Sequence, residues 1–225
     1  MFFVGALLAV LVVGTVLLGI LEWRGHRRYL RRYARRRGWQ WQARGDEPAR
    51  GRTAFGPFTG KHRINSVMTF AVRNDVRARA CQVVSAPGGK LFKKVRHWVI
   101  MIVLPAPVPF LTVRPEPRAG RSGRDVQFEW QEFNDAWEVH GEDRRVVHAV
   151  INGRMMEWLM NPSSRPRRLT DSFVLDGEAL YTFGPGGLDA TTIERRANEL
   201  VAFTDQVPEF LWSRSRAGLP RRPGA

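Results

Sequence analysis

Two glycine-rich segments have the composition of nucleotide-binding loops, but both depart from the required spacing. The first, 56–62, reads Gly-Pro-Phe-Thr-Gly-Lys-His. A phosphate loop needs one more residue between its glycines, a Ser or Thr after its lysine to hold magnesium, and a helix after that. Here His62 follows the lysine and opens a predicted strand. The second segment, 184–187, lacks the spacing of a dinucleotide fingerprint and is interpreted as a turn.

Residues of metal-binding and acid–base type are clustered locally at one place, which comprises His140, Glu142, Asp143 and His148. A zinc site needs three or four converging ligands, and the chain contains neither His-Glu-x-x-His nor Cys-x-x-Cys. We therefore predict no metal site and no cofactor. These four residues remain the best candidates for the alternative that the protein is an enzyme with a site assembled from scattered residues.

Nucleophilic catalysis would need a serine or cysteine beside a base. The Gly-x-Ser-x-Gly nucleophile elbow is absent. The single cysteine, Cys81, lies in a predicted strand, where a buried structural thiol is the usual finding. One cysteine also excludes an intramolecular disulfide. No catalytic residue is assigned, and a non-enzymatic protein is favoured.

Arginines near the N-terminus carry much of the excess charge of this 225-residue chain, whose formal net charge is +15. Residues 1–37 contribute +7 and residues 213–225 contribute +4, which leaves +4 for the longer segment 38–212. A nucleic-acid-binding domain would hold its charge on its own folded surface, so nucleic acid is not expected as a partner. The arginines of the first segment are Arg24, Arg27, Arg28, Arg31, Arg32, Arg35, Arg36 and Arg37.

This arginine collar, residues 23–37, follows an apolar segment of membrane-spanning length. Residues 2–21 contain no charged side chain, and twenty helical residues span about 30 Å, the thickness of the hydrocarbon core. A cleaved signal peptide would need a basic start and a small-x-small cleavage site, and neither is present. We expect residues 1–22 to be a transmembrane anchor in the cell membrane. Because arginines stay on the inner side, the N-terminus should face outside and residues 38–212 the cytoplasm.

The sequence leaves two uses of the collar open. Its arginines set the topology, and clustered arginines just cytoplasmic of a span also attract anionic lipid headgroups, at about 1 kcal/mol per residue. All eight arginines are therefore candidate lipid-binding residues. Trp23, Tyr29, Leu30 and Tyr33 are expected to add a modest apolar insertion at the membrane interface.

The segment 38–212 is predicted to be a soluble α+β domain, with an antiparallel sheet and helices on one face. Alternating apolar residues predict a strand over 62–72, with Ile64, Met68 and Phe70 on the same side. The strands concentrate in the first half of the segment and the helices in the second. This order favours α+β over a parallel α/β fold.

The apolar run 98–104 predicts a central buried strand that ends at Pro105. A second membrane span over 98–113 is the alternative, but the stretch is short and contains three prolines. Two hairpins are also predicted, one within 126–139 and one at 176–177, where Asp-Gly is a strong turn signal.

Helix signals are clearest in the second half of the domain. Asp143 is placed to cap a helix that continues to about Met160. A last helix is expected to begin with the capping-box spacing of Thr191 and Glu194. The basic tail 213–225 has little to bury and is predicted to be disordered.

A proline-spaced motif at 104–109, Leu-Pro-x-Pro-x-Pro, is followed by Val-Arg-Pro-Glu at 113–116. With Phe-Asn at 133–134 and the predicted helix 143–159, it resembles a family of uncharacterised bacterial single-pass membrane-anchored proteins. The resemblance covers about residues 1–210. It implies the same architecture, one N-terminal span and a late amphipathic helix, and it assigns no activity.

These features predict a membrane-tethered cytoplasmic domain that binds a protein partner or the anionic leaflet. The enzyme alternative predicts instead a concave pocket with converging polar groups.

Overall fold

The computed structural model of the chain describes residues 14, 21, 24–45, 61–86, 95–116, 125–161 and 172–218. The predicted anchor, residues 1–22, lies outside them except for Gly14 and Leu21, which are both helical. Among the described residues, no helix is both long and apolar enough to cross a membrane. The glycine segment ahead of Lys61 also lies outside the described residues.

Strands and helices follow one another in an α+β order. Within the described residues they are α1 (24–36), β1 (Gln40–Gln42), β2 (Lys61–Ala71), β3 (Arg77–Ala86), β4 (Val95–Pro115), α2 (Gln131–Ala136), β5 (Trp137–Gly141), α3 (Arg144–Val150), α4 (Gly153–Met160), β6 (Ser172–Pro185), α5 (Ala190–Gln206) and α6 (Glu209–Gly218).

The six strands form one antiparallel sheet organised around β4. β3 pairs with the first part of β4, up to Ile102, and β5 pairs with its last part, from Leu111. β6 pairs with the opposite edge of β4 at both ends of the strand. β2 joins β3, and β1 joins β2. The predicted α+β class with an antiparallel sheet is confirmed.

The run 98–104 is a buried central strand, as predicted, but the strand does not end at Pro105. β4 continues to Pro115, because the proline-containing stretch has no register partner in β3 or β5. A proline there removes no ladder hydrogen bond on that edge. Pairing with three other strands excludes the second-span interpretation of 98–113.

The hairpin predicted at 176–177 is wrong, because β6 is one continuous strand. Gly177 has a φ of 59° and lies opposite Val108, where the register between β4 and β6 shifts. Glycine adopts this backbone conformation without the clash that a Cβ would cause. The Asp-Gly pair therefore makes an irregularity within a strand instead of a turn between two strands.

The hairpin predicted within 126–139 is also wrong. Helix α2 stands between an irregular segment and β5, and the buried side chain of Asn134 holds that segment. Its Oδ1 accepts from the Phe128 N–H at 3.0 Å, and its Nδ2 donates to the Phe128 carbonyl at 2.7 Å. Hydrogen bonds from the Asn134 side chain therefore hold this segment, where the hairpin prediction required backbone hydrogen bonds between two strands.

The helix predicted from Asp143 to Met160 is two helices. Asp143 caps α3 as expected, accepting from the N–H groups of Arg145 and Val146. The helix then breaks, and Asn152 caps α4 by accepting from the Met155 N–H at 3.0 Å. A second capping residue in mid-helix thus starts a new helix, which the apolar spacing alone did not indicate.

Helix α5 begins earlier than its predicted capping box. Asp189 is the N-cap residue and accepts from the Thr192 N–H at 2.8 Å. Helix α6 continues to Gly218, into the segment 213–225 predicted to lack structure, because Leu211 is buried in the core. Residues 219–225 lie outside the described part of the chain.

All the described helices contribute to one apolar cluster on one face of the sheet. One buried side chain from each of them is Leu30, Phe133, Val147, Met155, Ile193 and Leu211. A second cluster, which includes Cys81 and Val99, lies on the other face. A register shift between Ile64 and Ser66 moves Ile64 to this second face, so the alternation predicted for 62–72 is interrupted.

Helix α1 belongs to this core, so its truncation should destabilise the domain. We expect Leu30→Ala to lower the free energy of unfolding of the full chain in detergent by about 2–4 kcal/mol, measured by denaturant titration, because it leaves a cavity at a fully buried site. Arg28→Ala, at an exposed neighbour, should change it by less than about 0.5 kcal/mol. Equal effects of the two substitutions would show that α1 is not part of the folding unit.

Candidate functional site

Helix α1 has an inner face that is part of the domain. Leu30 is 1% exposed and Ala34 is fully buried. Gly38, with a φ of 70°, ends the helix, and the Trp39 N–H donates to the Ala34 carbonyl at 2.8 Å. This turn stacks the Trp39 ring on Phe70 of β2, with ring centroids 4.1 Å apart. The prediction that Leu30 inserts into the membrane interface is therefore wrong.

One arginine of the collar fixes α1 to the sheet. Arg27 Nη2 donates to the carbonyl of Ala43 at 2.9 Å and to that of Asn65 at 3.2 Å. Its guanidinium also lies 5.7 Å from the centre of the Trp41 ring, and that of Arg31 lies 5.6 Å from the same ring. Cation–π contacts of this kind are worth about 0.5–1 kcal/mol at exposed sites. Arg27 is thereby committed to the domain.

A second contact ties α1 to α5 through one carboxylate. The Tyr33 hydroxyl donates to Glu194 Oε1 at 2.5 Å, and Arg37 Nη2 lies 2.7 Å from the same oxygen. Burial raises the pKa of Tyr33, and its hydrogen bond to Glu194 raises that pKa further. Glu194, predicted to close a capping box, instead holds the end of α1.

The outer face of α1 carries the remaining arginines. Five of them are exposed, namely Arg24, Arg28, Arg32, Arg35 and Arg36. In the described part of the chain, none of these five pairs with an acidic side chain. They extend along about 18 Å of helix at 1.5 Å per residue. The structure thus divides the eight predicted residues into a structural group and an exposed cationic stripe.

Two arginines of this stripe border a shallow groove with two aromatic rings. The groove has a volume of about 220 Å³ and is lined by Tyr29, Arg32, Tyr33 and Arg36. The two rings are tilted, with centroids 6.3 Å apart. Tyr29 is 50% exposed. The groove therefore offers two cationic forks and an exposed aromatic surface on one flank of α1.

Three of the four candidate residues for an enzyme site have other partners in the fold. Asp143 is the helix cap of α3, and the His148 ring packs edge-on against Phe128 at 5.1 Å. His140 Nε2 lies 2.6 Å from Glu138 Oε1. Among the described residues, no group of three His, Cys, Asp or Glu side chains could hold a metal ion.

Glu138 was not predicted from the sequence. Its two partners, Arg114 and His140, lie at neighbouring positions of the sheet. It is fully buried and accepts from Arg114 Nε at 2.5 Å across the β4–β5 pair. A buried carboxylate needs such a partner to remain in the core. Thr112, across from His140, is 1% exposed, which keeps its hydroxyl from any substrate. We interpret this cluster as structural.

Cys81 is not a reactive nucleophile in the folded protein. It is fully buried in the second apolar cluster, paired with Val67 and Val99 on the adjacent strands. Burial raises the pKa of its thiol to about 12, against a small opposing effect of Arg79. The prediction of a buried structural thiol is confirmed.

The fold is an α+β domain whose first helix, α1, presents arginines on its outer face. No protein-family profile and no curated protein matches the chain. A solved structure, that of the mycobacterial trehalose monomycolate transport factor A, TtfA, is similar to it, with a TM-score of 0.54. The identity is 12%, over 82% of this chain and 97% of that one. This likeness concerns the fold.

The burial of Cys81 predicts its reactivity. At pH 8 an aromatic disulfide reagent should label the native full chain orders of magnitude more slowly than free cysteine, because a pKa of about 12 leaves almost no thiolate. The free energy of unfolding should also fall as pH rises from about 8.5, the pKa of an unfolded cysteine, towards about 12. Labelling of the native chain at the rate of free cysteine would contradict the assignment.

Proposed function

We propose that the protein is a non-enzymatic, membrane-tethered cytoplasmic domain that binds the anionic leaflet through the outer face of α1. The observation that carries this proposal is an exposed stripe of five arginines, with no acidic partner in the ranges that the structure describes, on a helix whose other face is fixed in the core. Surface arginines normally find acidic partners or are spread over a surface. A one-sided stripe of arginines next to a proposed anchor is placed to attract anionic lipid headgroups.

The proposed anchor, residues 1–22, would keep this stripe at the membrane. Each arginine near an anionic leaflet contributes about 1 kcal/mol, and this attraction falls off within about 8 Å at physiological salt. Because α1 is held by Leu30, Arg27 and Glu194, the backbone positions of its arginines are fixed before they meet the lipid. Less freedom is lost on binding when the binding groups are already ordered.

The fold likeness is to a protein whose name places it in transport. The similar solved structure is that of a transport factor for trehalose monomycolate. For this chain we infer from the shared fold an accessory role in which the domain binds the leaflet and a protein partner of a membrane process. The enzyme alternative is not favoured, because Asp143 caps α3, His148 packs against Phe128 and His140 contacts Glu138.

Lipid binding should depend on the outer arginines. The chain from residue 24 should bind anionic phosphatidylglycerol vesicles, with an affinity that falls steeply as salt rises. Replacing four exposed arginines by glutamine should lower the vesicle partition coefficient about 100-fold or more, measured by co-sedimentation, at about 1 kcal/mol each. The four are Arg28, Arg32, Arg35 and Arg36.

The matched control removes the same charge from other elements. Glutamine replaces four exposed arginines outside α1, namely Arg77, Arg144, Arg145 and Arg154. This variant should retain most of the binding, since these side chains lie on other elements. Equal losses in both variants, or equal binding to neutral vesicles, would refute a specific role for α1.

Topology is tested separately. A reporter that is active only in the cytoplasm should work when fused after Ala225, because the arginine collar keeps the domain on the inner side. A reporter that works only outside the membrane, active at the same fusion point, would overturn the proposed orientation.

A further inference from the structure

We propose that the groove lined by Tyr29, Arg32, Tyr33 and Arg36 is a discrete site for the phosphate monoester headgroup of an anionic lipid. The inference rests on the proposed function, in which α1 faces the leaflet. It assigns the preference among anionic lipids to two particular arginines, Arg32 and Arg36. A uniform stripe of charge would instead spread any such preference over all of its arginines.

The spacing of the two arginines allows both to reach one phosphate. Residues four apart in a helix are neighbours on its surface, with Cβ atoms about 5–6 Å apart. Arg32 and Arg36 have this spacing and border the same groove. Each guanidinium is a planar fork that donates two parallel hydrogen bonds to phosphate oxygens. The volume of about 220 Å³ accepts a phosphate with room for the adjoining glycerol carbons.

The nearby acidic group does not compete for these arginines. Glu194, which contacts the groove residue Tyr33, accepts from the Tyr33 hydroxyl and pairs with Arg37 through the same Oε1 atom. In the described structure Arg32 and Arg36 have no acidic partner. The groove therefore keeps two unneutralised cations next to a carboxylate that is already paired.

The pair of cations favours a monoester over a diester. A phosphate monoester has a charge of about −1.5 to −2 at neutral pH, so it can engage both guanidiniums with more charge than a diester. The lipid source is favoured because Tyr29 is half exposed at the groove. An amphipathic tyrosine ring suits the headgroup level of a bilayer.

The test uses the full chain in detergent and native mass spectrometry of bound lipid. The probes are dioleoyl phosphatidic acid, a monoester, and dioleoyl phosphatidylglycerol, a diester with the same acyl chains. We expect the full chain to bind phosphatidic acid about 10-fold more tightly, a factor that corresponds to 1.4 kcal/mol. The double variant Arg32→Gln/Arg36→Gln should bind both lipids equally.

The control variant is Arg24→Gln/Arg28→Gln. It removes the same charge from the same helix at the same spacing, but neither residue borders the groove. It should keep the preference for phosphatidic acid. All four positions are exposed, so both variants should melt at the temperature of the unaltered chain.

Each other outcome overturns a specific part of the inference. If both double variants lower the binding of both lipids equally, α1 binds by charge alone and the discrete site is refuted, while the proposed function stands. If neither lipid binds the unaltered chain, the proposed function fails as well. If inorganic phosphate displaces phosphatidic acid at a similar concentration, the site takes a soluble anion and the assignment to lipid is refuted.

Discussion

The packing of Leu30 and Ala34 against the sheet fixes the direction of every other side chain on α1. In a helix of 3.6 residues per turn, burying these two positions turns Arg27, Arg31 and Arg37 towards the domain and the five stripe arginines away from it. A collar that only flanked a span would leave all eight arginines equivalent. Docking makes them unequal and gives the molecule a defined cationic surface.

That docking depends on how the sheet is built. β4 is long enough to pair with β3 at one end and β5 at the other, while β6 follows its opposite edge. This keeps one face continuous, and the described helices all pack there. Buried Glu138 is matched locally by Arg114, whereas within the described residues the outer arginines of α1 have no acidic partner.

The central strand, the cap at Asp143, the buried Cys81 and the α+β class could be predicted from the sequence, because each depends on local spacing. The interruptions within the strands and the predicted hairpin could not be predicted in this way. The shift after Ile64 and the irregularity at Gly177 depend on the neighbouring strand, and Asn134 replaces a ladder through a side chain. The division of the collar into two groups of arginines could have been predicted, since Leu30 and Ala34 are four residues apart and share one face of a helix. Counting the charges does not show which face of the helix each arginine lies on.

The most direct measurement is the distance of α1 from the headgroups in the intact protein. The full chain carries Cys81→Ala and a spin label at position 35, and it is placed in anionic nanodiscs that contain nickel-chelating headgroups. A second sample carries the label at position 79, on a strand of the sheet. If α1 faces the leaflet, nickel should relax the label at 35 strongly and the label at 79 weakly. Weak relaxation at 35, equal to that at 79, would contradict the account.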